Sequence, residues 1–212
     1  MHARKVLHED LDTYIYVDAS NIRAACLKTL GMRLDFAKLF GYFKKKYPNL
    51  REVRYYEGIA TDDVEKKKTF AKLTKVGYQV CALSRKAYVD PAVYREVKCR
   101  KCGNMQRVQT LKRSVKLKSN VDVYLASDML VRASSAKRRV RLVLVSCDGD
   151  YAEAIKNMIG MNEKVSVVVV ATPPAKDRRN NTLSVRLKQL YREVPLHRYD
   201  LFNIETISNY IA

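Results

Sequence analysis

Short runs of consecutive apolar residues alternate along the chain with longer stretches whose apolar positions recur every three or four residues. The first run, YIYV (14–17), leads straight into the polar DASN. In DFAKLFGYFKKKY (35–47), Phe36, Leu39, Phe40 and Phe43 fall at helical spacing, and Pro48 lies just beyond, where a helix stops. EVRYYEGIA (52–60) reads as a strand. DDVEKKKTFAKLTKVG (62–77) reads as a helix with an acidic first turn, a basic body and Gly77 placed for a left-handed cap. YQVCAL (78–83) is a third strand, and a hairpin-like stretch follows it. Beyond that come a helix in NVDVYLASDMLVRAS (120–134), the strand RLVLVS, and a helix in DYAEAIKNMIG (150–160) predicted to close on Gly160. The strand KVSVVVVA (164–171), a helix in TLSVRLKQLYRE (182–193) and a short last helix in NIETISNYIA (203–212) complete the pattern.

Strand–helix alternation with nearly all-apolar strands predicts a parallel sheet covered on both faces by helices, with right-handed crossovers. The economical description is a polar N-terminal arm at 1–12 and one α/β domain at 13–212. That domain carries a basic insertion at about 86–117. Apolar residues make up 47% of the 212, enough for a substantial core. The longest apolar run, VSVVVVA, falls far short of the roughly 20 residues that span a bilayer. Five cysteines, an odd number without an apolar secretory signal, suggest thiols in a reducing compartment, so a cytoplasmic location is the expectation.

The charge changes the picture. A formal net charge of +19 calls for a polyanionic partner, because basic residues gain affinity by releasing counterions from phosphates. REVKCRKCGNMQRVQTLKRSVKLK (95–118) holds nine Lys or Arg against one acid, Glu96, and KRRVR (137–141) and KDRR (176–179) add to it. Tyr88, Tyr94 and Tyr151 lie in or near such stretches, where they could stack on bases. No basic stretch has the apolar face of an interfacial helix, so RNA, single-stranded or structured, is the expected partner and a membrane is not.

Candidate chemistry sits where apolar runs end. In an open α/β sheet, ligands bind beyond the carboxyl ends of the strands, where strand order reverses. Asp18 follows YIYV, and Asp148 and Asp150 follow LVLVS; if those strands are central neighbours, their carboxylates meet at one crevice. Asp122 opens the helix after the insertion at the same edge. Carboxylates so close repel unless a proton or cation lies between them. Hard oxygen donors suit Mg²⁺ or Mn²⁺, which would activate water for attack on a phosphodiester. Asp18 and Asp150 have a plainer reading as helix N-caps. The three histidines, His2, His8 and His197, lie in the tails and form no acid-paired nucleophile.

VDASNI (17–22), KSNVDVYLASDML (118–130) and LVSCDGDYAEAI (144–155) together resemble the NYN domain, in its LabA-like subgroup of the PIN-like nucleases. Cys147 replaces a glycine of the family pattern, and Tyr151 stands where it has Phe. The resemblance implies a three-layer α/β/α sandwich and metal-dependent ribonuclease activity. It assigns Asp18, Asp122, Asp148 and Asp150 to the acidic cluster and makes Asn21 a support for the first acid or a substrate contact. Lys118 is placed to meet phosphate. Asp128 matches a second acid of the helix pattern but lies about 240° around the helix from Asp122, so it is expected to be structural.

Ser146 and Arg85, which follows the third strand, are further candidates for substrate contact. Within the insertion, Arg100, Lys101, Arg107, Lys112 and Arg113 are expected to hold RNA backbone from a basic hairpin lying over the crevice. CRKCGNMQ places Cys99 and Cys102 at the spacing of one zinc knuckle, with two ligands missing. That half-knuckle reads three ways: completed across a homodimer, a remnant, or a redox pair; structural zinc is the minority reading. The leading functional expectation is a Mg- or Mn-dependent ribonuclease. Its alternative is a non-catalytic RNA-binding protein of the same fold. A phosphatase fits poorly, since the expected Asp-x-Asp-Thr is absent after the first strand, where DASN stands.

Overall fold

The computed structural model describes residues 11–173 and 183–212. The N-terminal arm as far as residue 10, with His2 and His8, and the KDRR cluster at 176–179 lie outside the described residues. Along the chain run β1 (Asp12–Asp18), α1 (Ala19–Leu30), α2 (Phe36–Lys46), β2 (Leu50–Ile59), α3 (Val64–Val76) and β3 (Gln79–Ser84). The insertion forms β4 (Lys86–Asp90), β5 (Val93–Lys98), β6 (Met105–Leu111) and β7 (Ser114–Lys118). Then come α4 (Val121–Ser135), β8 (Val140–Val145), α5 (Tyr151–Met161), β9 (Val165–Ala171), α6 (Val185–Glu193), β10 (Tyr199–Asn203) and α7 (Ser208–Ile211).

Six strands form one sheet in the order β10-β9-β8-β1-β2-β3, every neighbouring pair parallel. The chain builds outward from β1 through β2 to β3, then returns to the other side of β1 with β8 and builds outward again. Strand order therefore reverses between β1 and β8, where Val17 pairs with Val145. Helices α1, α2, α3 and α7 cover one face and α4, α5 and α6 the other, giving the three-layer α/β/α sandwich. Burial on both faces explains the unbroken apolar runs: Leu142 to Val145 and Val167 to Val170 all lie in the core.

Two elements differ from the sequence expectation. Gly160 does not close α5: the helix runs through it to Met161, and Asn162 is the cap. A short edge strand, β10, precedes the C-terminal helical segment; its YDLFN carries polar residues at two of five positions and only Tyr199 is buried, so no apolar run announced it.

The insertion is a two-stranded antiparallel ribbon in two halves, β4 with β7 and then β5 with β6. Apart from the half-buried Asp90, Ala92 and Cys99, every residue from Lys86 to Lys118 is exposed. The expected hairpin over the crevice is thus corrected: the ribbon stands in solvent and does not cover the sheet edge. Its root is nonetheless at that edge. A Cβ on Gly58, near the end of β2, would collide with the Ser119 hydroxyl and press on Arg85, so both chains of the root sit against the rim.

Candidate active site

Asp18 is the last residue of β1 and the N-cap of α1, accepting a hydrogen bond from the Asn21 backbone N–H at 3.3 Å. Its capping reading is therefore correct, but it is half of the role. The other carboxylate oxygen accepts from the Tyr151 hydroxyl at 3.2 Å and from the Ser146 hydroxyl at 3.4 Å. The side chain is buried beneath the rim. Burial raises its pKa most, and the neighbouring Asp148 charge adds to that; the three hydrogen bonds pull it back, leaving it at about 6.

The turn after β8 holds the second acid. Ser146 also accepts the Asp148 N–H at 3.2 Å, and Asp148 accepts the Asp150 N–H at 3.0 Å. Asn21 reaches across from α1, its side-chain oxygen accepting the Cys147 N–H at 2.9 Å. One asparagine thus ties the end of β1 to the turn after β8. Gly149 is required by contact: a Cβ there would collide with the Ser184 hydroxyl at the start of α6.

Asp122, in the first turn of α4, arrives from a third direction. Burial raises the Tyr151 hydroxyl far above the ordinary tyrosine range, and the charges of Asp18, Asp122 and Asp148 all push it the same way. Of the four predicted acids, Asp18 bonds that hydroxyl, and Asp148 and Asp122 act on it through charge alone. Asp150 is the exception, exposed and 3.6 Å from the Arg186 guanidinium. It occupies the N-cap position of α5 but makes no side-chain cap bond, so the plain capping reading fails for it. A cleft of about 330 Å³ opens beside the cluster, lined by Asn21, Cys147, Asp148, Gly149, Asp150, Ser184 and Arg186.

Among the described residues, no three His, Cys, Asp or Glu side chains stand close enough to enclose an ion by themselves. The donor set still fits a hard divalent cation. Magnesium takes one or two carboxylates and completes its shell with water and phosphate oxygens. Asp18 and Asp148 supply such a pair, and their repulsion is what a cation would offset.

Other predicted residues fall into place differently. Ser146 is fully buried with its hydroxyl committed to Asp18, so it positions that carboxylate and is not itself a substrate contact. Tyr151 is buried and cannot stack on bases, contrary to expectation. Arg85 and Lys118 are exposed at the two sides of the ribbon root, the Lys118 ammonium 5.9 Å from the Tyr88 ring centre. Farther out, the Arg107 guanidinium lies 4.6 Å over Tyr94. Arg100 and Lys101 lie in the tip, Lys112 and Arg113 between the two halves, all exposed. Asp128 points away from the cluster as expected, accepting from Tyr56 and from Arg54 at 2.7 Å. Of Cys26, Cys81 and Cys147, expected in the core, the first and last are buried and Cys81 is half-buried.

Sequence reasoning missed Arg186, the second residue of α6, and it missed the inner role of Tyr151. Glu57, at the same sheet edge, is buried near the end of β2. Burial pushes that carboxyl up, yet Arg23, Lys66 and Tyr55 hydrogen-bond it and hold it at about 2.

An open parallel sheet with helices on both faces and a reversal of strand order defines a Rossmann-like three-layer α/β/α domain. The model of the NYN domain matches residues 12–185, and the chain belongs to that family. NYN domains have a PIN-like nuclease fold and are generally nucleases. A protein of unknown function from Vibrio parahaemolyticus has a similar crystal structure, with a TM-score of 0.58 and 17% identity over 97% of this chain and 100% of that one. A mutant phosphofructokinase-2 from Escherichia coli is more distant, with a TM-score of 0.30 and 11% identity over 66% of this chain and 42% of that one. Comparison with curated proteins gives no match.

Proposed function

We propose that this protein is a ribonuclease that hydrolyses RNA phosphodiester bonds with the help of Mg²⁺ or Mn²⁺. The observation that supports the reading is the buried Asp18 carboxylate, held by Tyr151 and Ser146 beside the charge of Asp148, at the strand reversal of a strongly basic molecule. Acids retained in a protein that binds polyanions work against affinity unless they do chemistry. Asp18 and Asp148 would hold the cation, with Asp122 facing the same crevice; a divalent ion there supplies an activated water and stabilises the leaving oxygen.

The remaining steps belong to side chains. Tyr151 and Ser146 lock the Asp18 carboxylate, so that it needs no reorganisation when substrate arrives. Asn21 keeps the Asp148 turn at fixed distance from β1. Arg186, steered by Asp150, stands at the cleft mouth where a scissile phosphate would enter. Arg85 and Lys118 at the ribbon root, then Arg107, Lys112 and Arg113 farther out, offer cations along a path leading away from the cleft. Cleavage would leave a 5′-phosphate end.

A second reading, a non-catalytic RNA-binding protein, draws on the absence of three close-set ligand side chains among the described residues. One experiment separates the two. Labelled single-stranded and structured RNAs are incubated with purified protein in Mn²⁺, in Mg²⁺ and in EDTA. Metal-dependent shortening of the RNA with 5′-phosphate products supports the nuclease; binding with no turnover under any metal condition supports the alternative.

A further inference from the structure

The CxxC turn takes no part in the proposed cleavage chemistry, yet it is built with care. Cys99 and Cys102 join β5 to β6 at the ribbon tip. The Cys99 N–H donates to the Asn104 carbonyl at 2.8 Å and the Gly103 N–H to the Cys99 carbonyl at 2.9 Å. Gly103 has a φ of +74°, which lets the chain reverse immediately after the second cysteine. The Cys102 and Lys101 backbone N–H groups and the Cys102 thiol together lower the pKa of the Cys99 thiol. The amide dipoles of this tight turn thus favour thiolate charge on Cys99. The two are thiols, not a disulfide.

Two thiolates are half of a structural zinc site, which takes four ligands in a tetrahedron. Among the described residues no further His, Cys, Asp or Glu joins them. Cys26, Cys81 and Cys147 belong to the sandwich and not to the ribbon. A second copy would bring two thiols in the same geometry, related by a twofold axis through the metal.

The ribbon itself asks for such a partner. Isolated two-stranded ribbons are marginal in water, and this one carries ten of the nineteen exposed large apolar side chains among the described residues. The pairing of Arg95 with Val108 and of Val97 with Gln106 puts Val97 and Val108 on one face beside the turn. Charge makes the association depend on metal. Lys98, Arg100 and Lys101 surround each tip, so two bare tips repel, whereas a zinc with four thiolates carries a net double negative charge that these cations offset.

We propose that Cys99 and Cys102 from each of two copies of this chain bind one zinc ion, joining the molecules tip to tip through their ribbons. Each thiol releases its proton to solvent as it binds, with no redox change. The cleft lies in the sandwich, so this inference does not depend on the ribonuclease reading.

The test uses the full chain, purified under reducing conditions with zinc and measured by metal analysis and light scattering. About one zinc per two chains and a dimer mass are expected. A strong chelator should give monomers, and added zinc should restore dimers. Cys99→Ser and Cys102→Ser should each be monomeric and hold less than about a tenth of the wild-type zinc, with unchanged far-ultraviolet circular dichroism because the ribbon lies outside the core. Cobalt bound by the wild-type chain should show thiolate charge-transfer and tetrahedral ligand-field bands saturating at about half an equivalent. A zinc-bearing monomer, a dimer that survives the chelator and both serine variants, a reduced protein that takes up no zinc, or a Cys99–Cys102 disulfide as the stable form would each overturn the proposal.

Discussion

Asp18 shows how one residue satisfies local structure and chemistry together. As a cap it helps start α1; as a buried carboxylate beside Asp148 it holds a proton more tightly than usual, at about 6 against an ordinary 3.8. The sign of the stability effect follows. Between those values the native state binds a proton that the unfolded chain has already lost, so the contribution to stability is full below about pH 4 and declines as pH rises through about 6. Protein stripped of metal with EDTA should therefore lose stability over that window, measured by denaturant melts, and Asp18→Asn should flatten the decline. Asp18, Asp148 and Asp150 were legible in the sequence because each follows an apolar run, and Asp122 because it opens a helix after the insertion. Tyr151 and Arg186 were not, because a tyrosine in an amphipathic helix and an arginine in a basic one carry no local signal. Their meaning comes from what the fold sets opposite them.

At the scale of elements, Glu57 ties three together. From β2 it accepts hydrogen bonds from Arg23 of α1 and Lys66 of α3, both cations partly exposed while the carboxylate is buried. Removing the negative charge leaves Arg23 and Lys66 without their shared partner. Glu57→Gln should cost about 3 kcal/mol of stability at neutral pH. The cost should shrink as pH falls toward 2, where the native carboxylate itself takes up a proton. Chemical denaturation at the two pH values checks both parts. The central strands were readable because burial on both faces leaves them nearly all apolar. β10 was not, lying at the sheet edge with Asp200 and Asn203 in five residues. Gly160 misled because a glycine near a helix end suggests a cap, whereas here α5 continues for another residue and no positive φ is needed.

Over the whole molecule, a net charge of +19 is arranged around a small acidic crevice, with cations at the ribbon root and along its length. Replacing Arg107, Lys112 and Arg113 together by alanine should weaken single-stranded RNA binding. It should also reduce the slope of log affinity against log salt by about 2, as three phosphate contacts are lost. Cleavage at saturating RNA should hardly change, since none of the three lines the cleft. Fluorescence anisotropy across a salt series gives the slope. The chain's charge was plain from composition, but the ribbon's stance in solvent was not: sequence places the insertion, and only the missing contacts show that it leaves the crevice open. The central claim is that Asp148 serves cleavage and not binding, and the direct measurement is to compare Asp148→Asn with wild type on one labelled RNA in Mn²⁺, reading cleavage rate and affinity together. The rate should fall by about 100-fold or more with affinity equal or higher; an unchanged rate, or a loss of affinity in step with it, would contradict the claim.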